Sequence, residues 1–238
     1  MNIALIGYGK MGKAIERLAT QRGHTIAAVY DHDNFLIDQL IKNKPDIAIE
    51  FTTPEAAFAN CYKLLEAKIP TLCGTTGWLQ GINEIKDLCN KQQATFLHAN
   101  NFSIGVNLFF KLNKMFAQLM RDHEQYNVSM CEVHHIHKKD APSGTALQLV
   151  NDLIESLPNK SAWQLDQNTT GNPQEIIIED IREGEVPGIH SIRYESDVDK
   201  MEITHTAKTR DAFAIGAVMV AEWLSHQQGF KTMNDFLG

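Results

Sequence analysis

A glycine-rich turn near the start of the chain limits its fold more than any other feature. The short apolar run Asn2–Ile6 is typical of a buried parallel strand and leads into Gly7-Tyr8-Gly9-Lys10-Met11-Gly12, which matches G-x-G-x-x-G. Apolar residues at helical spacing follow as far as Gly23, and a second strand over residues 25–30 delivers Asp31. Strand, glycine turn, helix, strand and acid in this order indicate a Rossmann-type dinucleotide-binding unit. The alternative is a glycine turn in an unrelated α/β protein.

The motif also bears on the choice of cofactor. Its three glycines permit a tight turn, a close approach of the backbone to a pyrophosphate and close helix–strand packing, in the order Gly7, Gly9, Gly12. Asp31 is suited to accept a hydrogen bond from a ribose 2′-hydroxyl and to repel the 2′-phosphate of NADPH. His32 and Lys13 would offset that repulsion in part, but no arginine directly follows Asp31 to clamp a phosphate. We therefore expect NADH to be preferred, with NADPH as a second cofactor.

The next part of the chain continues the alternation of strands and helices. Apolar runs at 46–51, 70–73 and 94–98 predict three more strands, with helices between them. This pattern predicts an α/β fold with a doubly wound parallel sheet, whose cofactor-facing loops lie at the carboxyl ends of the strands. By that rule the nicotinamide side is lined by Thr52, Gly74, Thr76 and Phe102. Ordinary turn chemistry is the alternative at each of these positions.

Hydrophobic periodicity predicts a second domain after this sheet. The predicted elements are helices over 104–120 and 213–225, a helix from Ser143 to near Leu157, and strands over 127–133, 175–182, 188–196 and 200–206. The polar stretch 159–173 predicts a loop, and the short connections between the last strands predict antiparallel pairing. The last helix is expected to return to the first domain. The expected domains are therefore 1–103 with 212–238, and 104–211.

One stretch of this second domain is dense in proton donors. Residues 134–139 contain three histidines and two lysines, and a helix with Ser143 as its N-cap begins just after them. The start of a helix leaves backbone N–H groups unpaired and carries a partial positive charge, so it is a ready anion site. The Ser143-Gly144-Thr145 start therefore suits a carboxylate.

A dinucleotide site and this donor-rich stretch together predict a reduction. Reducing a C=C or C=N bond needs a hydride on one atom and a proton on its neighbour, and a lysine ammonium can supply the proton. Lys138 is the expected donor, while His137 and Lys139 are expected to face solvent. No metal is expected, because the adjacent lysines would repel a cation held by the histidines.

Composition excludes several other classes of protein. The net charge of −7 argues against general nucleic-acid binding, and no apolar stretch reaches membrane-spanning length. The four cysteines are scattered without a C-x-x-C pair, which fits a reducing compartment better than a disulfide framework. We expect a cytoplasmic enzyme that binds neither nucleic acid nor membrane.

The stretch from Glu132 to Ala146 resembles the signature of the dihydrodipicolinate (4-hydroxy-tetrahydrodipicolinate) reductase family, Glu-x-His-His-x-x-Lys-x-Asp-Ala-Pro-Ser-Gly-Thr-Ala. The likeness runs nearly end to end, and it includes the glycine turn, residues 74–77 and 101–107, Arg182-x-Gly184 with Gly188-x-His190, and His205-x-Ala-x-x-Arg210. The resemblance implies NAD(P)H-dependent reduction of a cyclic dicarboxylate of the dihydrodipicolinate type to tetrahydrodipicolinate, in diaminopimelate and lysine biosynthesis. It also implies a C-terminal α+β domain with an open mixed sheet, which binds substrate and joins the subunits of a homotetramer.

The resemblance assigns roles to individual residues. It implies that His134 and Lys138 are catalytic, the latter as the proton donor. It implies substrate contacts for His135, Ser143, Gly144 and Thr145. The motif and the resemblance together assign cofactor binding to Gly7, Gly9, Lys10, Met11, Gly12, Asp31, Thr52, Gly74, Thr75, Thr76, Asn101, Phe102 and Arg210.

Some departures and alternatives remain. The family often has an arginine where this chain has His32, and Lys10 and Lys13 replace frequent arginines, which bears on cofactor preference alone. A metal hydrolase, a non-catalytic NAD-binding regulator and an oxidoreductase acting on another cyclic imine are the alternatives. The regulator would not need Lys138 and the anion site, and the carboxylate contacts favour a dicarboxylate over other imines.

Overall fold

The computed structural model describes residues 1–31, 36–168, 171–209 and 211–238. His32 and Arg210, both considered above for the cofactor site, lie outside the described residues. The chain divides into two compact units, the first formed by Met1–Ile104 with Asp211–Gly238 and the second by Gly105–Arg210. Each unit has its own sheet and its own apolar core.

Eleven strands and eight helices are found among the described residues. The strands are β1 (Asn2–Ile6), β2 (Thr25–Tyr30), β3 (Ile47–Glu50), β4 (Thr71–Cys73), β5 (Thr95–His98), β6 (Asn127–His134), β7 (Ala162–Leu165), β8 (Glu175–Arg182), β9 (Ile189–Glu195), β10 (Lys200–Thr206) and β11 (Gly229–Lys231). The helices are α1 (Lys10–Gln21), α2 (Ile37–Asn43), α3 (Pro54–Glu66), α4 (Ile82–Gln92), α5 (Ile104–Met120), α6 (Gly144–Ser156), α7 (Asp211–Leu224) and α8 (Met233–Leu237). Each of these helices falls short of the length and apolar character that crossing a membrane requires.

The first unit contains the predicted doubly wound parallel sheet. Its six strands lie in the order β11-β5-β4-β3-β1-β2, and every neighbouring pair is parallel. The register aligns the last residues of five strands, since Ile6 pairs with Tyr30 and Glu50, Glu50 with Cys73, and Cys73 with His98. The loops that follow these strands therefore start at one edge of the sheet, as the Rossmann prediction requires.

Helix α7 belongs to the core of the first unit because its small residues permit a very close approach. Ala214, Ala217 and Ala221 are fully buried, together with apolar residues of β1 and β3. At Gly216 an added Cβ would lie 1.8 Å from the carbonyl oxygen of Phe102, so only glycine fits this position. The apolar helix predicted over 213–225 is thus a core helix of this unit.

The second unit contains the expected mixed sheet, in the order β10-β9-β6-β8-β7. Strand β9 runs antiparallel to both β10 and β6, whereas β6 with β8 and β7 with β8 are parallel pairs. Alternate residues of β6 are buried, namely Val128, Met130, Glu132 and His134. The first two join apolar side chains of α5 and α6 in the core, so the buried face of β6 ends in two polar residues.

One prediction for the second unit needs correction. The stretch 159–173 is not a plain loop, because it contains β7 and a 3-10 turn at Asp166–Asn168. Strand β7 is a half-exposed edge strand of four residues, so its hydrophobic pattern is weak. The predicted antiparallel pairing of β9 and β10 is confirmed, and β6 lies between β8 and β9.

Replacing Gly216 with alanine should lower the free energy of unfolding by about 1–3 kcal/mol, because the new methyl overpacks α7 against the Phe102 carbonyl. Helix propensity alone would act in the opposite direction, by about 1 kcal/mol in favour of alanine. The sign of the change therefore separates the two effects. Urea unfolding followed by circular dichroism measures it, and an equal or higher stability of the variant would contradict the close approach.

Candidate active site

The donor-rich segment follows directly from the buried face of β6. Glu132 and His134 lie two residues apart, so the pleat of the strand turns both side chains to the same side. Glu132 is fully buried, and His134 is only 6% exposed. A carboxylate and an imidazole therefore lie together at the end of the strand, just before residues 135–140.

Glu132 joins three elements of the second unit. Its Oε1 accepts a hydrogen bond from the backbone N–H of Ser143 at 2.8 Å, at the start of α6. Its Oε2 lies 3.4 Å from Nδ1 of His134 and 3.5 Å from Nε2 of His190, which is on β9. One carboxylate thus positions the end of β6, the start of α6 and a histidine of the neighbouring strand.

The charge of Glu132 is stabilised where it lies. Burial alone would raise its pKa, but hydrogen bonds from His190 and Ser143 outweigh that effect and hold the pKa well below the usual range. The carboxylate is therefore ionised at neutral pH. A negative charge at the start of a helix also interacts favourably with the helix dipole.

His134 is neutral at physiological pH. Burial lowers its pKa to about 4; the attraction of Glu132 opposes this shift, and the neighbouring side chains of His190, Lys138 and Arg182 add to it. Its ring packs against the backbone of Gly188, where an added Cβ would lie 3.2 Å from Nε2. His134 is therefore a fixed, uncharged imidazole, suited to orient a ligand by a hydrogen bond.

Lys138 lies on the loop after β6 and is paired with Asp140. Its Nζ donates to both carboxylate oxygens at 2.8 Å. Arg182 braces this loop, since its Nη2 donates to the Asp140 carbonyl at 2.8 Å and its Nε donates to the Lys138 carbonyl at 3.4 Å. The Asp140 side chain is 59% exposed, and such a pair is weak in water. The ammonium can therefore leave Asp140 for a substrate.

The start of α6 has the geometry of an anion site. Ser143 is the N-cap, as predicted, and its Oγ accepts a hydrogen bond from the Ala146 N–H at 3.1 Å. Its side chain is only 3% exposed and also contacts Nε2 of His190 at 3.3 Å. Its hydroxyl therefore serves the helix cap. Gly144 and Thr145 form the more exposed first turn, whose N–H groups have no partner within the helix.

His135 lies between the two catalytic candidates in sequence. It follows the last residue of β6 and is half-buried, and its carbonyl accepts a hydrogen bond from the Lys138 N–H at 3.1 Å. The ring centroid of His135 lies 6.2 Å from that of the exposed His137. The turn that places Lys138 thus begins at His135.

The glycine turn of the first unit fits a pyrophosphate. Gly7 has φ of 97°, and an added Cβ there would lie 2.0 Å from the Phe51 carbonyl oxygen. An added Cβ at Gly12 would lie 2.3 Å from the Gly7 carbonyl oxygen, whereas the space around Gly9 is open to 4 Å. The glycine turn therefore packs tightly against the protein at Gly7 and Gly12 and leaves space for a ligand at Gly9. Gly9 directly precedes α1, whose first helical turn contains Lys10 and Met11.

Asp31 occupies the expected place at the end of β2. Its Oδ1 accepts a long hydrogen bond of 3.4 Å from the Tyr8 N–H, which ties it to the glycine turn. Lys13 lies on α1 with its Nζ 5.6 Å from the centre of the Tyr8 ring. A carboxylate and an ammonium thus flank the turn where the ribose of a dinucleotide would be recognised.

The remaining candidates lie on the loops after β3, β4 and β5. The hydroxyls of Thr52 and Thr75 both donate to the buried carboxylate of Glu50. Gly74 packs against the ring of Phe51, and Thr76 is exposed. Asn101 uses its Oδ1 to accept the Ser103 N–H at 2.8 Å. Phe102 is 2% exposed and lies in the core, so a contact with cofactor there would come from its backbone.

Two groups of side chains place potential metal ligands within 4.8 Å of one another, Glu132 with His134 and His190, and Glu50 with Cys61 and Cys73. In the first group, the positive charges of Lys138 and Arg182 that lower the pKa of His134 also disfavour a cation. In the second group, burial raises the pKa of both thiols, which disfavours the thiolate form that a metal needs.

Sequence reasoning assigned no role to four residues that the structure places at the sites. Glu132, His190 and Arg182 surround the donor-rich segment, and Glu50 lies beneath the loops of the first unit. The period of two along β6 was a usable signal for Glu132, because it puts that residue on the same face as His134. His190 and Arg182 are distant in sequence, so only the sheet order brings them to this place.

The chain matches two family models over almost its whole length. The model described as "Dihydrodipicolinate reductase, N-terminus" matches residues 1–102, and "Dihydrodipicolinate reductase, C-terminus" matches residues 105–237. Among curated relatives, a 4-hydroxy-tetrahydrodipicolinate reductase of Christiangramia forsetii is 44% identical, with 100% of this chain and 98% of the relative covered. One of Archaeoglobus fulgidus is 30% identical, with both chains covered completely.

A solved structure supports the fold independently. The dipicolinate-bound dihydrodipicolinate reductase from Paenisporosarcina sp. TG-14 superposes with a TM-score of 0.79, covering 98% of this chain and 97% of that chain. Its sequence identity is 22%. The α/β architecture with a parallel and a mixed sheet is therefore shared with that structure.

The low pKa of His134 should be visible in the pH dependence of stability. In the unfolded chain a histidine takes up its proton near pH 6.5, whereas folded His134 does so only near pH 4. Stability is therefore lost as the pH falls through this window, by about 2–3 kcal/mol. The His134→Gln variant lacks this titrating group. Its free energy of unfolding should therefore fall between pH 7 and pH 4 by about 2–3 kcal/mol less than that of the wild-type chain. Parallel curves for the two proteins in urea unfolding would contradict a buried, neutral His134.

Proposed function

The chain belongs to the dihydrodipicolinate reductase family and is a pyridine-nucleotide-dependent reductase, and from this premise we propose how its residues reduce 4-hydroxy-tetrahydrodipicolinate. When bound, the nicotinamide nucleotide supplies the hydride. The first unit binds it through Gly7, Gly9, Gly12 and Asp31. The second unit binds the cyclic dicarboxylate and supplies the proton.

Lys138 is the proton donor in this proposal. The observation that supports it is the contrast between Lys138, whose ammonium pairs with the exposed Asp140, and His134, whose pKa is lowered to about 4. An uncharged imidazole has no ready proton for an acid step at neutral pH, whereas an ammonium has one. Loss of water from the 4-hydroxy substrate first leaves a ring C=C bond conjugated with C=N; a hydride then adds to one carbon of that C=C bond, and the proton passes from Nζ to the carbon next to it, which gives tetrahydrodipicolinate.

The substrate carboxylates are bound by donors around the start of α6. The first-turn N–H groups of Gly144 and Thr145 and the ring of His135 supply hydrogen bonds. Arg182 and Lys138 supply positive charge on the side of His134. Because the substrate carries two carboxylates, these cations favour its binding and stabilise negative charge that develops during reduction.

We further infer that the chain acts as a homotetramer in the cytoplasm. The family likeness supports the assembly, as does the face of the mixed sheet opposite the helices, where Ser129, Cys131, Ser191 and Arg193 remain partly exposed. The four free cysteines support a reducing compartment. Sedimentation equilibrium measures the assembly directly, and a monomer at micromolar concentration would refute it.

The activity is tested by following oxidation of NADH and of NADPH. The substrate is generated in place from pyruvate and aspartate semialdehyde by the preceding synthase. Turnover should depend on the synthase product. Cofactor binding without turnover would refute the proposed reaction and leave the dinucleotide site in place.

Replacing Lys138 with alanine should lower kcat by about 10²–10⁴, the usual loss for a general acid. Lys139 is the matched control, because it is the adjacent lysine and is exposed. Lys139→Ala should keep kcat within about twofold of wild type, as expected for an exposed side chain outside the site. Near-normal kcat in Lys138→Ala, or an equal loss in both variants, would contradict the role of Lys138.

Replacing Asp31 with serine should raise kcat/KM for NADPH relative to NADH by about tenfold, equivalent to about 1.4 kcal/mol. The physical reason is that the variant no longer repels a 2′-phosphate and no longer accepts a hydrogen bond from a 2′-hydroxyl as a charged group. Asp38→Ser, on the exposed side of α2, is the control for net charge. If the two variants change the cofactor ratio equally, Asp31 does not read the ribose.

A further inference from the structure

A second buried carboxylate lies in the first unit, at the end of β3. Glu50 is fully buried, and it is the last residue of a strand between β4 and β1. Removing a carboxylate from water is costly unless hydrogen-bond donors replace the lost solvation. The groups that donate hydrogen bonds to Glu50 therefore indicate which parts of the structure it holds in place.

Four neutral donors meet the carboxylate. At Oε1 these are the Thr52 hydroxyl and the Asn60 side-chain amide, the latter at 3.5 Å. At Oε2 they are the Thr75 hydroxyl at 2.7 Å and the Cys73 thiol at 3.1 Å. The two strongest donors, the threonines, come from different loops, one after β3 and one after β4.

The same two loops are also joined directly. The backbone N–H of Thr52 donates to Oγ1 of Thr75 at 2.8 Å, which closes a ring of hydrogen bonds with Glu50. The Thr75 carbonyl accepts a hydrogen bond from the Trp78 indole at 2.7 Å, and Nε2 of His98, at the end of β5, lies 3.0 Å from it. The backbone of Thr75 is therefore held from two sides, and Glu50 lies at the centre of the network.

This network explains how Thr52 and Thr75 act. Both hydroxyls are turned towards Glu50, so these residues meet a cofactor through their backbone. We propose that Glu50 is a positioning residue for the nicotinamide nucleotide, because it fixes the backbone of the loops after β3 and β4. The inference rests on the proposed function, which assigns the cofactor to this unit.

The competing explanation is that Glu50 serves stability alone. Asp152 provides a matched comparison, since it is a buried carboxylate of the second unit, 2% exposed, on helix α6. It accepts a hydrogen bond from Gln148 at 2.8 Å and pairs with Lys114 at 3.1 Å. Replacing either carboxylate with its amide removes a buried charge, but only Glu50 is tied to the proposed cofactor loops.

The test compares Glu50→Gln with Asp152→Asn in the full chain. The dissociation constant for NADH is measured by fluorescence titration, KM for both substrates by steady-state kinetics, and the midpoint of thermal unfolding on the same samples. The amide in Glu50→Gln keeps one acceptor oxygen and replaces the other with an NH2 group. One of the two threonine hydroxyls that donate to Glu50 then loses its acceptor. We expect the dissociation constant and KM for NADH to rise about tenfold, as for a lost charged hydrogen bond, with KM for the cyclic substrate unchanged.

The Asp152→Asn control separates a positioning role of Glu50 from a role in stability alone. Asp152→Asn should leave NADH binding unchanged. A wild-type dissociation constant in Glu50→Gln, or an equal rise in both variants, would overturn the positioning role while the proposed function stands. Failure of the wild-type chain to bind NADH and NADPH would refute both the positioning role of Glu50 and the proposed function. If Glu50→Gln does not fold, Thr75→Val decides the question, since it removes one donor to Glu50 and should weaken NADH binding about threefold or more.

Discussion

A carboxylate that folding removes from water must be met by hydrogen-bond donors, and this requirement shapes both functional regions of the protein. Glu132 is met by the Ser143 N–H and lies between two histidines, so it holds together β6, β9 and the start of α6. Glu50 is met by hydroxyls from two loops of the parallel sheet. Glu132 and Glu50 each lie at or near the end of a strand, where regular pairing stops and side chains must position the backbone that follows.

The position of Glu132 also determines what the start of α6 has left to offer a ligand. The N-cap N–H donates to Glu132 and the Ser143 hydroxyl accepts from Ala146, so these two groups serve the protein itself. The N–H groups of the first turn, at Gly144 and Thr145, follow them in the chain and belong to the more exposed surface. The helix start thus divides its donors between a buried carboxylate that fixes it and the ligand that it is proposed to bind.

Much of the fold could be predicted, because local patterns and the global fold agree. The glycine turn with Asp31 indicated the parallel sheet, and the apolar stripe of 104–120 has the same bounds as α5. Short elements without a clear period, such as α2, β7, β11 and α8, were missed. The place of β6 between β8 and β9 could not be read from loop lengths, since it depends on long-range pairing. His190 and Arg182 reach the site through that pairing, so the local motifs that contain them did not reveal a role at the site.

The proposed division of work between His134 and Lys138 rests on a difference in burial that the sequence alone does not show. Both residues come from one segment, and in water either could carry a positive charge. Folding buries His134 at the end of β6 beside Gly188, where burial and neighbouring cations lower its pKa to about 4. Folding leaves Lys138 on a braced loop, paired with an exposed carboxylate that can release it. Burial is thus the main reason that the imidazole is neutral, and Lys138 is left as the proposed acid of the segment.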